Sequence, residues 1–299
     1  MLSSLQNMLF LAAQYLLPHH LLSRLTAKLA DCEWIWLKNL LISSFISAYD
    51  VNMQEAQFSD VQDYKSFNAF FTRALKQDAR PIAQSDDNII SPVDGRISQI
   101  GRIENDRIFQ AKNHDYSLTE LLAGADQLAA HFVDGTFATI YLSPKDYHRV
   151  HMPVAGTLKE MHYVPGRLFS VSPFTTEKIP GLFARNERMI AYFETEIGPM
   201  AVIMVGAMIV AGIETVWAEQ VAPTRDEISI SHYDQGVKLN QGDEMGRFKL
   251  GSTVILLFGK DAAKWQSQLA TDQTLKLGEL IGSHTTRPAT LSSSVEGER

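Results

Sequence analysis

The sequence predicts an α+β protein: amino-terminal amphipathic helices followed by a β-rich core of barrel or sandwich type. Three observations carry this. Residues 1–49 are apolar at helical spacings and almost uncharged, whereas from Asn88 the chain breaks into short alternating or continuous apolar stretches punctuated by Gly, Pro and Asp-Gly. With 299 residues, 45% of them hydrophobic, the chain is also long enough for one large or two small domains with a sizeable core.

The amino-terminal stretch MLSSLQNMLFLAAQYLLPHHLLSRLTAKL has no charged side chain before Arg24. It lacks the positive start of a secretory signal and is read as retained. Its most apolar part, Met8 to Leu17, is interrupted by Gln14 and closed by Pro18, short of the roughly 20 residues that span a bilayer. The second stretch, EWIWLKNLLISSFISAY (residues 33–49), places Trp34, Trp36, Leu37, Leu40, Leu41 and Phe45 at helical spacings, with Lys38 set to snorkel. Two amphipathic helices are expected. Ordinary core packing would explain them equally, but the tryptophan pair and the flanking His19, His20 and Arg24 favour a membrane surface. Arg24, Lys28 and Lys38 stand against Asp31 and Glu33, so the hold on lipid would be mainly hydrophobic.

Residues 59–83 read as a helix with Phe67, Phe70, Phe71 and Leu75 on one face, ended by Pro81. Beyond it, NIISPVDGRISQI reads as strand, Asp-Gly turn and strand. TFATIYL, GTLKEMHYV, RMIAYFETEIGPMAVIMVGAMIV with a Gly-Pro turn, DEISISHY and Phe248 to Phe258 read as further strands. Leu118–Phe132 and Asp261–Leu269 are the expected helical exceptions, and the Ser/Thr-rich tail from His284 is expected to be disordered. The chain thus divides into a helical region (1–83), a β-rich core (84–283) and a tail (284–299).

Charge and cysteine count exclude several classes. A net charge of −7 offers nucleic acid no basic footprint. Cys32 is the only cysteine, so there is no intrachain disulfide and no thiolate metal cluster. His148 and His151 have neither an intervening glutamate nor a nearby cysteine, and at i and i+3 of a strand they face opposite ways, so no metal is expected.

Three places join reactive side chains to turn residues: Asp94 in SPVDGR, His148 and His151 in SPKDYHRVHMP, and Ser252 in KLGST. An acid, a histidine and a serine invite a triad. Taken singly each has a plain structural reading, Asp94-Gly95 above all, which is a common hairpin pair. A Gly-x-Ser-x-Gly elbow is absent, because Leu250 and Val254 hold the glycine positions and a strand follows Ser252. Gly251 instead leaves its carbonyl open beside the hydroxyl of Ser252, which is placed to attack its own preceding peptide bond.

These motifs, with FNAFFTRALKQDARPI, YVPGRLFSV, NERM, VGAMIVAGI and GDEMGRFKLGSTVILLF between Phe67 and Phe258, make the chain resemble the phosphatidylserine decarboxylase proenzymes. The resemblance implies cleavage between Gly251 and Ser252 into two chains that stay together, and conversion of Ser252 into a covalent pyruvoyl cofactor. It implies a self-cleavage triad of Ser252, His151 and Asp94, with His148 as the proton donor in decarboxylation. It further implies phosphatidylserine as substrate, a homodimer, and a peripheral position on the cytoplasmic face of the inner membrane. Lys145, Arg149, Arg167 and Arg185 are all open as phosphate ligands. A lipid esterase using Asp94, His151 and Ser252 as a hydrolytic triad is the alternative enzyme, and a membrane-tethered binding module the non-enzymatic one.

Overall fold

The computed structural model describes residues 4–83, 87–112, 114–208, 212–222, 227–249 and 252–284. Pro18 splits the first apolar stretch into α1 (Ser4–Leu16) and α2 (His19–Ala30), and α3 (Ile35–Tyr49) follows. Gln14 of α1 is buried and its Oε1 accepts the Ser170 N–H at 2.8 Å; on α2 the His20 ring lies 3.0 Å from the Gly166 carbonyl. Both helices are therefore tied to the core through polar groups, while Leu9, Leu16, Leu21, Leu25 and Leu29 point outward. Leu16 is 81% exposed and Ile35, between Trp34 and Trp36, is 72% exposed. Lys38 does not snorkel. It is buried, with its ammonium on Asn39 Oδ1 and the Val61 carbonyl. Among the described residues no helix is long and apolar enough to cross a membrane.

The helix expected over residues 59–83 is mostly absent. It contracts to a 3-10 turn (Val61–Asp63) and α4 (Phe67–Phe71), capped by Ser66. The three phenylalanines expected on one helical face with Leu75 are distributed by packing: Phe67, Phe70 and Phe71 surround Phe45 of α3 edge-on, with Ile42 beneath.

The strands that follow are β1 (Asn88–Ile90), β2 (Gly95–Arg102), β3 (Arg107–Ala111), β4 (His114–Ser117), β5 (Thr136–Leu142), β6 (Arg149–His151), β7 (Gly156–Val164), β8 (Arg188–Thr195) and β9 (Gly198–Gly206). They continue with β10 (Gly212–Thr215), β11 (Glu219–Ala222), β12 (Ser229–Leu239), β13 (Glu244–Lys249), β14 (Ser252–Phe258), β15 (Lys264–Trp265), β16 (Thr274–Leu275) and β17 (Leu280–Ser283). Short helices α5 (Leu118–Leu121), α6 (Asp126–Ala130), α7 (Pro173–Lys178) and α8 (Leu182–Arg185) fill the connections. The helix expected over 118–132 is thus real but broken, at Ala123 and Gly124, both of which have positive φ. Residues 261–269 contain β15 and turns instead of a helix.

Eight strands form one open antiparallel sheet in the order β12-β7-β8-β9-β14-β5-β2-β16, and four form a second, β11-β10-β13-β6. The two face each other across one apolar core. Val254, Leu256, Met204, Met189 and Ile140 of the large sheet meet Val150, Ile213, Met245 and Phe248 of the small one. The architecture is a sandwich and not a closed barrel. Ile255, Leu257, Ile203 and Ile190 on the other face of the large sheet pack against α5, α6 and α8. This two-sided cover explains why Val254 to Phe258 is a continuous apolar run and not an alternating one.

Asp94-Gly95 is not a hairpin turn. β1 pairs with β17, whereas β2 pairs with β5 and β16. Gly95 is required for another reason: a β-carbon there would stand 2.6 Å from the Tyr141 carbonyl oxygen and 2.9 Å from Ile140 Cγ2. Gly95→Ala is accordingly expected to cost about 2 kcal/mol in chemical denaturation, the penalty of overpacking a site that has backbone on one side.

Candidate active site

Ser252 opens β14. Its Cα partners are Leu142 of β5 on one side and Gly206 of β9 on the other. The alternation that sends Val254 and Leu256 into the sandwich core sends Ser252 to the same face. The side chain is fully buried and Oγ has no hydrogen-bond partner among the described residues. Leu250 and Gly251 lie outside the described residues.

The two histidines bracket β6 of the facing sheet. A bulge in His-Arg-Val-His would let both imidazoles converge, yet β6 is regular. The irregularity sits opposite, in β13, where Glu244 pairs with His151 and Gly246 with Val150, leaving Met245 as the extra residue. Val150 faces the core while Arg149 and His151 turn to the other side, where Arg149 pairs with Glu244 at 2.8 Å.

Each imidazole bonds a backbone carbonyl through Nδ1: His148 to Asp146 O and His151 to Gly242 O, both at 2.8 Å. A carbonyl only accepts, so Nδ1 carries the proton in both rings and Nε2 is the basic nitrogen. The environments of those two basic nitrogens differ. His151 Nε2 lies 3.1 Å from the Tyr147 hydroxyl, whose ionisation burial pushes up to about 12, so the phenol donates. His148 Nε2 is buried with no partner among the described residues, and its ring packs 4.1 Å from that of Phe71. Burial drives the His148 pKa down to about 3, with the Asp146 carbonyl opposing, and lowers that of His151.

Asp94 does not complete a triad with His151. The backbone brings them near each other, because the His151 N–H donates to the Pro92 carbonyl at 2.9 Å. The carboxylate itself turns to Arg80, which donates to both oxygens at 2.8 and 2.5 Å, and to the Leu277 N–H at 2.8 Å. A bidentate guanidinium outcompetes a single neutral imidazole N–H. Burial would raise the Asp94 pKa, but these donors, with the charges of Arg80 and Lys276, hold it below the ordinary carboxylate value. Arg80 and Tyr147 were not singled out from the sequence, since neither stands in a motif of known chemistry. Arg73 was missed likewise. Its guanidinium is buried, with Nε and Nη1 unpartnered among the described residues, and it lines a small cavity with Asp94, Lys145 and Tyr147. Of the four cations open for phosphate, Arg149 is committed to Glu244 and Arg185 lies over the Phe169 ring at 4.9 Å.

A family model described as phosphatidylserine decarboxylase matches residues 67–283, which include all of Asp94, His148, His151, Gly251 and Ser252. The chain belongs to the phosphatidylserine decarboxylase family. A second family model, described as PSD, matches residues 9–50, the region of α1 to α3. A protein of Saccharophagus degradans is 57% identical over 275 residues, 91% of this chain and 96% of its own length. Proteins of Ectopseudomonas mendocina and Pseudomonas aeruginosa are each 56% identical over 282 residues, 93% of this chain and 99% and 98% of their own. All three are named phosphatidylserine decarboxylase proenzyme. The family is one of carboxy-lyases, and nothing in the fold or the relatives favours the esterase alternative.

A histidine held neutral in the fold but free to protonate on unfolding binds fewer protons when native, so it destabilises the fold as pH falls below its unfolded value. His148 should therefore cost about 2 kcal/mol of stability between pH 7 and pH 5. In His148→Leu that part of the pH dependence should vanish from urea denaturation curves measured at the two pH values.

Proposed function

We propose that the chain decarboxylates phosphatidylserine to phosphatidylethanolamine after cutting itself between Gly251 and Ser252, and that residue 252 becomes a pyruvoyl group. The observation that carries this reading is Ser252 itself. It is a fully buried hydroxyl, unpartnered among the described residues, at the head of a strand laddered on both sides, in a chain whose relatives are named proenzymes.

In the cut, a base takes the Oγ proton while Oγ attacks the Gly251 carbonyl carbon, so the peptide becomes an ester. Loss of the Ser252 Cα proton then expels Gly251 as a carboxylate, and hydrolysis of the residue left behind releases ammonia. The site fits the product, because among the described residues nothing engages Ser252 Oγ or His148 Nε2. A pyruvoyl group there would supply a carbonyl to condense with the substrate amine and a sink for the electron pair that carbon dioxide leaves behind.

The resemblance gives His151 the cleavage step and His148 the later protonation. His151 turns away from the core face on which Val150 and Ser252 lie. It serves as base only once the Tyr147 hydroxyl leaves its Nε2 and the ring swings toward that face, and Asp94 then acts on it through the Pro92 to Asp94 backbone. His148, neutral at rest, must gain a proton before it can donate one. His151→Ala and Asp94→Ala are expected to accumulate uncut precursor on denaturing gels. His148→Ala should cut, yet release carbon dioxide from phosphatidylserine roughly a hundredfold more slowly. An uncut His148→Ala protein would move the cleavage base to His148, the imidazole whose basic nitrogen is already unengaged.

The outward leucines of α1 and α2 and the Trp34, Ile35 and Trp36 cluster support a peripheral position on a membrane surface; from the resemblance alone we further infer the cytoplasmic face of the inner membrane and a homodimer. Trp34→Ser/Ile35→Ser/Trp36→Ser changes only exposed side chains. It should reduce flotation with phosphatidylserine-containing liposomes and leave the melting temperature unchanged.

A further inference from the structure

Glu187 is 3% exposed, and among the described residues no lysine, arginine or histidine pairs with it. Its Oε1 accepts the Tyr163 hydroxyl at 2.6 Å. Burying an unpaired carboxyl is unfavourable, and at a purely structural position an apolar side chain would do better. Its place in the sheet supplies the reason.

The Glu187 carbonyl accepts the Gly206 N–H at 2.8 Å, and Gly206 is in turn the Cα partner of Ser252. Glu187, Gly206 and Ser252 thus form one row across β14, β9 and the residue leading into β8. The neighbouring rows fix the side, since Met189, Met204 and Val254 all enter the sandwich core. Side chains of the row share that face. Gly206 contributes none, so Glu187 and Ser252 confront each other across a gap of roughly 10 Å, two strand spacings. The carboxylate leans into the gap: its Oε2 is 3.9 Å from where a β-carbon on Gly206 would stand. On the outer side Glu187 closes the floor of a cleft of about 360 Å³ beneath α2, whose rim carries His20, Arg24 and Lys28 beside the exposed Leu21 and Leu25.

The charge pattern is acid at depth, cations at the rim and leucines beyond. It matches an aminophospholipid headgroup entering ammonium first, with its phosphate at the rim and its chains toward lipid. We propose that this cleft is the headgroup subsite and that Glu187 receives the serine ammonium and takes its proton, an inference that rests on the decarboxylase reading. The transfer balances as ammonium plus carboxylate giving neutral amine plus carboxylic acid, with no other bond changed. The amine lone pair is then available to the carbonyl expected at residue 252. Burial raises the Glu187 pKa against the opposing Tyr163 hydrogen bond and the nearby His20, which makes it a stronger proton acceptor than an exposed carboxylate.

The test separates binding from turnover. In the uncut Ser252→Ala protein, which has no carbonyl, calorimetry is run with glycerophosphoserine and with its N-acetylated form. Glu187→Gln should weaken glycerophosphoserine by about tenfold or more, the loss of a charge-assisted contact, and leave the weaker N-acetylated ligand unchanged. Arg24→Ala/Lys28→Ala alters only exposed side chains, so it folds whatever Glu187→Gln does. It should weaken both ligands. Equal affinity in folded Glu187→Gln and parent proteins, or unchanged binding in the rim variant, overturns the subsite. A wild-type protein that binds glycerophosphoserine but releases no carbon dioxide from phosphatidylserine overturns the decarboxylase reading instead.

Discussion

The structure depends on the double ladder of β14. All seven residues from Ser252 to Phe258 pair with β5 on one side and β9 on the other, and all are buried. A strand so held keeps its first residue in place without help from the peptide bond before it. Cutting the chain there and converting residue 252 takes away that residue's own N–H but leaves the ladder from Thr253 to Phe258 paired on both sides. This is why a protein can break its backbone at the reacting residue and keep the site assembled. The same ladder fixes what surrounds Ser252: Leu142 on one flank, and on the other a glycine that leaves the way open to Glu187.

Around that anchored residue the fold tolerates polar groups that a purely structural core would avoid. Ser252 Oγ, His148 Nε2 and two nitrogens of Arg73 are buried without partners among the described residues, and Glu187 is buried without a cation. Each such group costs free energy in a folded protein. Ser252 and Glu187 share the core-facing side of one row of the large sheet, which marks a place where stability is given up for chemistry. Asp94, in contrast, is locked by Arg80 and the Leu277 amide. It ties the loop before β2 to the chain near β16.

Much of this was legible in the sequence because short-range rules govern it. The run Val254 to Phe258 reads as a buried strand and is one, and the Gly251-Ser252 bond before it is the one that the resemblance implies is cut. The helix expected over residues 59–83 failed because its phenylalanines are bound by a tertiary cluster around Phe45 and not by helical register. Asp94-Gly95 misled for a similar reason: local turn chemistry was read where a long-range ion pair and a backbone close approach were the cause. Lys38 turned inward because Val61 and Asn39 offer oxygens that water would otherwise supply. Tyr147, Arg80 and Glu187 had no sequence signal, since their significance comes from partners 4, 14 and 24 residues away that only the folded chain brings into contact.

The central claim is that residue 252 is transformed and not merely exposed by the cut, and the mass of the carboxy-terminal chain decides it most directly. Under denaturing conditions the purified protein should yield residues 1–251 and a chain spanning 252–299, the latter lighter by one ammonia than simple hydrolysis before Ser252 would leave it. A carboxy-terminal chain with the full mass of a free serine terminus, or a single uncut chain that decarboxylates phosphatidylserine, would contradict the account.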